Sequence, residues 1–136
     1  MSTLNVLGFL EVAHLYEQKI NLALKYSGLR LPLYRTLLFM EKSGKITVSD
    51  LSRHFKITSA SMSVLVREMI VADLVKKIKH QGDNRSYYIQ LTKYGKNRID
   101  FSKDEVERVI KNISLNTSSE TIGLLNHFLQ SVRANN

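Results

Sequence analysis

Ser59, Ser61, Ser63 and Arg67 fall within nine residues of one another, in a segment where Met62, Leu65, Val66 and Met69 recur at the i, i+3, i+4, i+7 spacing of one helix face. Short hydroxyls and a guanidinium on or beside the opposite face bond phosphates and base edges. They are also small enough to let a helix enter a groove about 12 Å wide. Further on, Gln81-Gly82-Asp83-Asn84 has turn chemistry and leads into Arg85. A guanidinium projecting from such a tip suits the concentrated negative potential of a narrow minor groove. Lys76, Lys77 and Lys79 alternate in face along a β-patterned run, so one or two of them reach a single phosphate backbone, with Lys77 the candidate. The plain alternatives are a serine-rich surface helix and solvated charge.

Charge supports the first reading. The 136 residues carry twenty Lys and Arg against twelve Asp and Glu, a net charge of +8. From Lys45 to Asp100 eleven basic residues face five acidic ones, so most of the excess sits in the middle of the chain. Other chemistries find little. Without cysteine there is no disulfide, no cysteine–zinc site and no thiol redox sensing. His14, His54, His80 and His127 are far apart; only His14 and His127 lie on terminal segments that could meet, in a metal site bridging two subunits. No glycine-rich phosphate loop or Gly-x-Ser-x-Gly occurs, and Asp104, Glu105 and Glu107 sit beside Lys103 and Arg108 as a solvated face. The expectation is a non-enzymatic protein with no cofactor. No apolar run reaches the roughly 18 residues of a membrane span, and no basic segment precedes an apolar stretch near the start, so the expected location is cytoplasmic.

These residues need elements to hold them. Residues 3–26 are densely apolar and predict a helix buried on more than one side, closed at Ser27-Gly28. A second helix is predicted from about Pro32 to Glu41, closed by Ser43-Gly44. Thr47-Val48-Ser49-Asp50 is a capping-box pattern for a short third helix, and Thr58 caps a fourth. Two short helices joined by three or four residues have the spacing of a helix-turn-helix. Leu74–His80 and Ser86–Leu91 predict a β-hairpin. Thr92 then caps a long helix over roughly 93–113, and Thr117-Ser118-Ser119-Glu120 opens a last one. The expected fold is mainly α with a small β-hairpin: a winged helix-turn-helix flanked by N- and C-terminal dimerisation helices.

At this point the chain resembles the MarR family of bacterial transcription regulators. The resemblance rests on Ile46-Thr47-Val48-Ser49-Asp50-Leu51, on Ile57-Thr58 through Ser63 with Leu65-Val66-Arg67-Glu68-Met69, and on Asp83-Asn84-Arg85 followed by Leu91-Thr92-Lys93-Tyr94-Gly95. It departs from the family's usual pattern at Lys56 and Asp73, where glycine is usual, at Ser59, where proline is frequent, and at Val64 and Asn84, where arginine is frequent. The resemblance implies that Asp83 pairs with Arg85 and positions it. It also implies a small, aromatic or anionic ligand bound between the dimer helices and the wing region, with Tyr16, Arg35 and Phe39 on helices able to line such a pocket.

The functional expectation is a sequence-specific regulator of double-stranded DNA, a repressor by preference, acting as a homodimer on a pseudo-palindromic operator. Residues 31–92 would bind DNA through Thr58, Ser59, Ser61, Ser63, Arg67, Lys77, Asp83 and Arg85. Residues 1–30 and 93–136 would join the subunits through Leu4, Leu7, Leu10, Ile122, Leu125, Leu129 and Val132. The alternatives are that these apolar stripes only complete the monomer, and that the basic surface belongs to a sequence-neutral nucleoid-binding or protein-interaction module.

Overall fold

The computed structural model describes residues 3–80, 82 and 86–135. Six helices and three short strands follow one another: α1 (Val6–Ala23), α2 (Leu31–Ser43), β1 (Ile46–Thr47), α3 (Val48–Phe55), α4 (Ser59–Val71), β2 (Val75–Lys79), β3 (Tyr87–Leu91), α5 (Lys93–Leu115) and α6 (Ser119–Ala134). Four of the six helix starts are set locally by hydroxyl side chains; α1 is capped by the Asn5 side chain and α2 opens on Pro32. The side chains of Thr47, Thr58, Thr92 and Ser118 accept from the backbone amides of Asp50, Ser61, Gly95 and Thr121, each such cap worth about 1 kcal/mol. The last of these lies one residue beyond the expected start, because the Thr117 hydroxyl donates back to the Ile113 carbonyl at the end of α5.

The two helices of the helix-turn-helix end alike. Lys56 (φ 55°) and Asp73 (φ 60°) both take the left-handed conformation. After α3, Ile57 N–H bonds to Ser52 O and Lys56 N–H to Arg53 O; after α4, Leu74 N–H bonds to Met69 O and Asp73 N–H to Ile70 O. That pair of reverse bonds satisfies the last carbonyls of each helix, and a side chain in place of glycine costs about 1 kcal/mol at each site.

The sheet is larger than a hairpin. β2 and β3 pair antiparallel, and β1 adds to the other edge of β3 through Ile46 opposite Ile89 and Thr47 opposite Tyr88. The order is β1-β3-β2. β1 consists of the two residues before the α3 cap, and its partner lies more than forty residues away in sequence, so no local pattern announces it.

One core joins α2, α3, α4 and the sheet to the first half of α5. Leu37, Met40, Leu51, Met62, Met69, Ile89 and Ile99 are almost completely buried, each worth roughly 1.5–3 kcal/mol. The Leu74 carbonyl ties three elements together, accepting from Thr92 N at 3.1 Å and Thr92 Oγ1 at 3.2 Å where α4, β2 and α5 meet. Glu41, near the end of α2, is held between Lys96 and Lys103 of α5.

The terminal helices differ from expectation. No residue of α1 or α6 is buried. α1 packs along α5 through its C-terminal end, where Ile20 and Ala23 meet the core, and Phe9 meets Phe128 of α6 edge-to-face. The rest of its apolar surface, Leu7 at 74% exposure for example, has no cover within a single chain.

Candidate nucleic-acid interface

α4 places its side chains by the helical period. Met62, Val66 and Met69 point into the core, so the opposite stripe points outward. That stripe consists of Ala60, Val64, Arg67 and Val71, all exposed, with Ser59 and Ser61 exposed at the N-terminal end and Ser63 half-buried on the flank. The Thr58 hydroxyl caps the helix and lies 3.0 Å from the Ser61 hydroxyl, so both are engaged at the helix start. Sequence reasoning gave weight to the serines and passed over Ala60 and Val64. The signal was present: they stand at i and i+4 with Arg67 at i+7.

The strands place the lysines. Lys77 lies opposite Ile89 on the sheet face that turns toward the core and α4, and Lys76 lies on the other face. Diagonally across the pair, the Lys77 ammonium sits 4.5 Å from the centre of the Tyr87 ring. Between this wing face and α4 lies a cleft of about 300 Å³ lined by Ser63, Arg67, Ile70, Val71, Lys77 and Tyr87. Three of the expected contacts, Ser63, Arg67 and Lys77, thus share one cleft, and Tyr87 joins them. Asp83 and Arg85 lie outside the described residues. The other sheet face carries Lys45, whose ammonium is 4.9 Å from the Tyr88 ring centre.

The electrostatics favour an anion here. Arg67 makes no ion pair among the described residues. The one acid on α4, Glu68, lies beside the outward stripe and is paired with Arg30 at 2.6 Å, which offsets its charge. Asp50 is likewise engaged, with its carboxyl lowered below the ordinary aspartate range by hydrogen bonds from Thr47 and then Arg53.

The expected ligand-pocket residues do not share one cavity. Arg35 lines a space of about 370 Å³ with Glu17, Arg30, Phe55, Met62 and Leu65, between α1, α2, α3 and α4. Tyr16 lines a different one, of about 560 Å³, between α1 and α5. Phe39 is half-buried and stacked on His54 with ring centres 3.7 Å apart. His14 and His127 are exposed on α1 and α6. No helix among the described residues is long and apolar enough to cross a membrane.

Comparison with known proteins extends this geometry. A model of the MarR family matches residues 27–86, the segment from the turn after α1 to the residue before β3. The uncharacterized HTH-type transcriptional regulator YdgJ of Bacillus subtilis (strain 168) is 33% identical over 100 residues, 74% of this chain. The chain spans about 60% of that relative's length. Among solved structures, a mutant MarR from E. coli complexed with operator DNA matches with a TM-score of 0.86 at 16% identity, over 94% of both chains. The organohalide-sensing RdhR transcriptional regulator in its 2,4-dichlorophenol-bound form matches with a TM-score of 0.87 at 22% identity, over 95% of this chain and 77% of that one. At these identities the structural matches speak for the fold. Residues 27–86 thus match a MarR family segment, set within a MarR-like winged helix-turn-helix fold.

Proposed function

We infer that the chain binds double-stranded DNA sequence-specifically as a homodimer on a pseudo-palindromic operator, represses transcription there, and is released by a small aromatic or anionic ligand. The observation that carries the DNA reading is the cleft in which Ser63, Arg67, Lys77 and Tyr87 meet beside the outward face of α4. A reading helix with a cationic strand pair at its flank can enter a major groove, while Asp83 and Arg85, which the sequence places between β2 and β3, are proposed to serve the adjacent minor groove.

Dimer formation is supported by the apolar surface left on the terminal helices. Leu4, Leu7, Leu10, Leu125, Leu129 and Val132 are exposed in the single chain, and Ile122 is half-buried. Such stripes mark a subunit contact, here between residues 1–30 and 93–136 of two copies, with residues 31–92 as the DNA-binding region. For a ligand, the cavity sets the Arg35 guanidinium beside the Phe55 ring, with Glu17 also on its wall and Arg30 paired to Glu68, a lining that supports a small aromatic ligand held by one guanidinium. The RdhR structure of like fold, solved in its 2,4-dichlorophenol-bound form, supports this reading.

The test is a fluorescence-anisotropy titration at about 150 mM salt, where long-range charge is screened. It compares the duplex upstream of the protein's own gene with a scrambled duplex of equal length. A preference of about 10³ or more for the first supports the regulator reading. Equal binding to both, with no site recovered by genomic-fragment selection, supports the sequence-neutral module instead, and no binding to either removes the DNA reading.

A further inference from the structure

The centre of the outward face of α4 is carbon. Ala60, Val64, Arg67 and Val71 form one exposed stripe. Val64 in its middle is 57% exposed, although Met62, Val66 and Met69 on the same helix are buried. Val64 and Val71 line a shallow apolar depression with Ala72 and the stems of Arg67 and Glu68. A β-branched apolar side chain held in water favours neither the helix nor its solubility, so what covers it matters.

The surroundings of the stripe are cationic. Arg67 stands within it, and Lys77 and Tyr87 stand across the cleft at its edge. Glu68, the one acid of the helix, has its charge offset by its pair with Arg30. The complementary partner is therefore a polyanion that offers carbon at the middle of the contact. In the major groove of DNA, thymine does this through its C5-methyl group, whereas guanine, adenine and cytosine offer polar atoms that neither Ala60 nor Val64 can bond.

The geometry points to Val64 as a thymine reader: its methyl groups, with Ala60 beside them, pack against the C5-methyl of a thymine in the bound site while Arg67 and Lys77 take polar and phosphate contacts around it. This rests on the DNA-binding reading above and adds a base identity to it.

Selection from a randomised duplex pool supplies the bound site. Anisotropy then compares that duplex with copies in which single thymines become deoxyuridine, which removes the methyl group alone. In the wild type, one thymine and its symmetric copy are expected to show about 3- to 5-fold weaker binding per methyl removed, the worth of one such group returned to water. In Val64→Ala the same replacements are expected to change binding less than about 2-fold, since the packed surface is already gone. Thermal melting of Val64→Ala, an exposed position, checks that the variant is folded.

If no duplex enriches, the DNA-binding reading falls and this inference with it. If a site enriches but deoxyuridine has no effect anywhere, or an equal effect in Val64→Ala, the regulator reading stands and thymine reading is overturned. If Val64→Ala leaves DNA binding intact and instead changes the sedimentation of the free protein, the stripe is a contact between copies and thymine reading is again overturned.

Discussion

Arg30, the residue that leads into α2, holds Glu68 of α4 through two hydrogen bonds, Nη2 to Oε2 at 2.6 Å and Nε to Oε1 at 3.4 Å. Both side chains are about half exposed, so the pair is worth about 0–1 kcal/mol to the fold. Its consequence is for the helix surface: the carboxylate beside Arg67 is neutralised by its pair with Arg30. Arg30→Ala is expected to leave thermal stability almost unchanged and to weaken DNA binding about 3- to 10-fold through the freed negative charge. Adding Glu68→Gln should restore most of that loss in anisotropy titrations. A double variant as weak as the single one would mean that Arg30 itself touches DNA.

Gly95 is required by contact rather than by backbone angle. A methyl group on it would stand 2.1 Å from the Leu74 carbonyl oxygen, which cannot yield without breaking its bonds from Thr92. Gly95→Ala is therefore expected to cost about 2–4 kcal/mol, read as a lowered midpoint in urea unfolding. Gly123 of α6 has nothing within 4 Å of the same position. Gly123→Ala should be neutral or stabilising by up to about 1 kcal/mol.

Glu41 links stability to pH. Burial pushes its carboxyl up, but hydrogen bonds and charge from Lys96 and Lys103 outweigh that and leave it below the ordinary 4.5. Lys96 is raised in return by its bonds to Glu41 and Asp100. A depressed carboxyl contributes stability that is complete above its unfolded value and lost as pH falls through its folded value. Glu41→Gln, which keeps the shape without the charge, should cost about 1–2 kcal/mol at neutral pH. The difference in melting temperature from the wild type should shrink on acidification below about pH 4. A gap that stays constant down to pH 3 would argue that the clamp is held by shape alone.

Lys77 should act through phosphate. Lys77→Ala is expected to reduce affinity for specific and scrambled duplexes by similar factors and to lower the slope of log K against log salt by about one. Arg85→Ala should weaken binding about 10-fold or more by losing the minor-groove contact. An unchanged affinity in that variant would remove the wing tip from the interface.

Charge placed on the terminal helices should separate subunits without unfolding the rest. Leu7→Glu and Leu129→Glu alter exposed residues of α1 and α6, so circular dichroism and the core should be preserved. Sedimentation equilibrium should show the wild type as a dimer and the variants shifted toward monomer, with weaker operator binding. Wild-type protein that sediments as a monomer would overturn the dimer reading.

What could be read from the residues follows from how local each signal is. The caps at Thr47, Thr58 and Thr92 were visible because a hydroxyl and an amide three residues apart suffice to make them. β1 was not, because Ile46 gains strand character only from Ile89. The meeting of Lys77 with Tyr87 depends on a register that the turn chemistry alone does not fix. α1 misled for a physical reason: apolar residues around a helix foretell cover, but not whether the cover comes from the same chain. Tyr16 and Arg35 were grouped by the helices that carry them, and the packing of α1 on α5 sends them to separate cavities.

The junction at the Leu74 carbonyl makes α5 a lever with its fulcrum at one end. Its 23 residues extend about 34 Å from Thr92, where they are pinned to the end of the reading helix. A tilt of about 10° at the fulcrum sweeps Leu115 through about 6 Å. Because Lys96 and Lys103 clamp α5 to Glu41 and its Ile99 and Val106 are buried in the core, the inner half of α5 cannot take up such a tilt without α2 and the core, and only its outer turns are free to swing against α1.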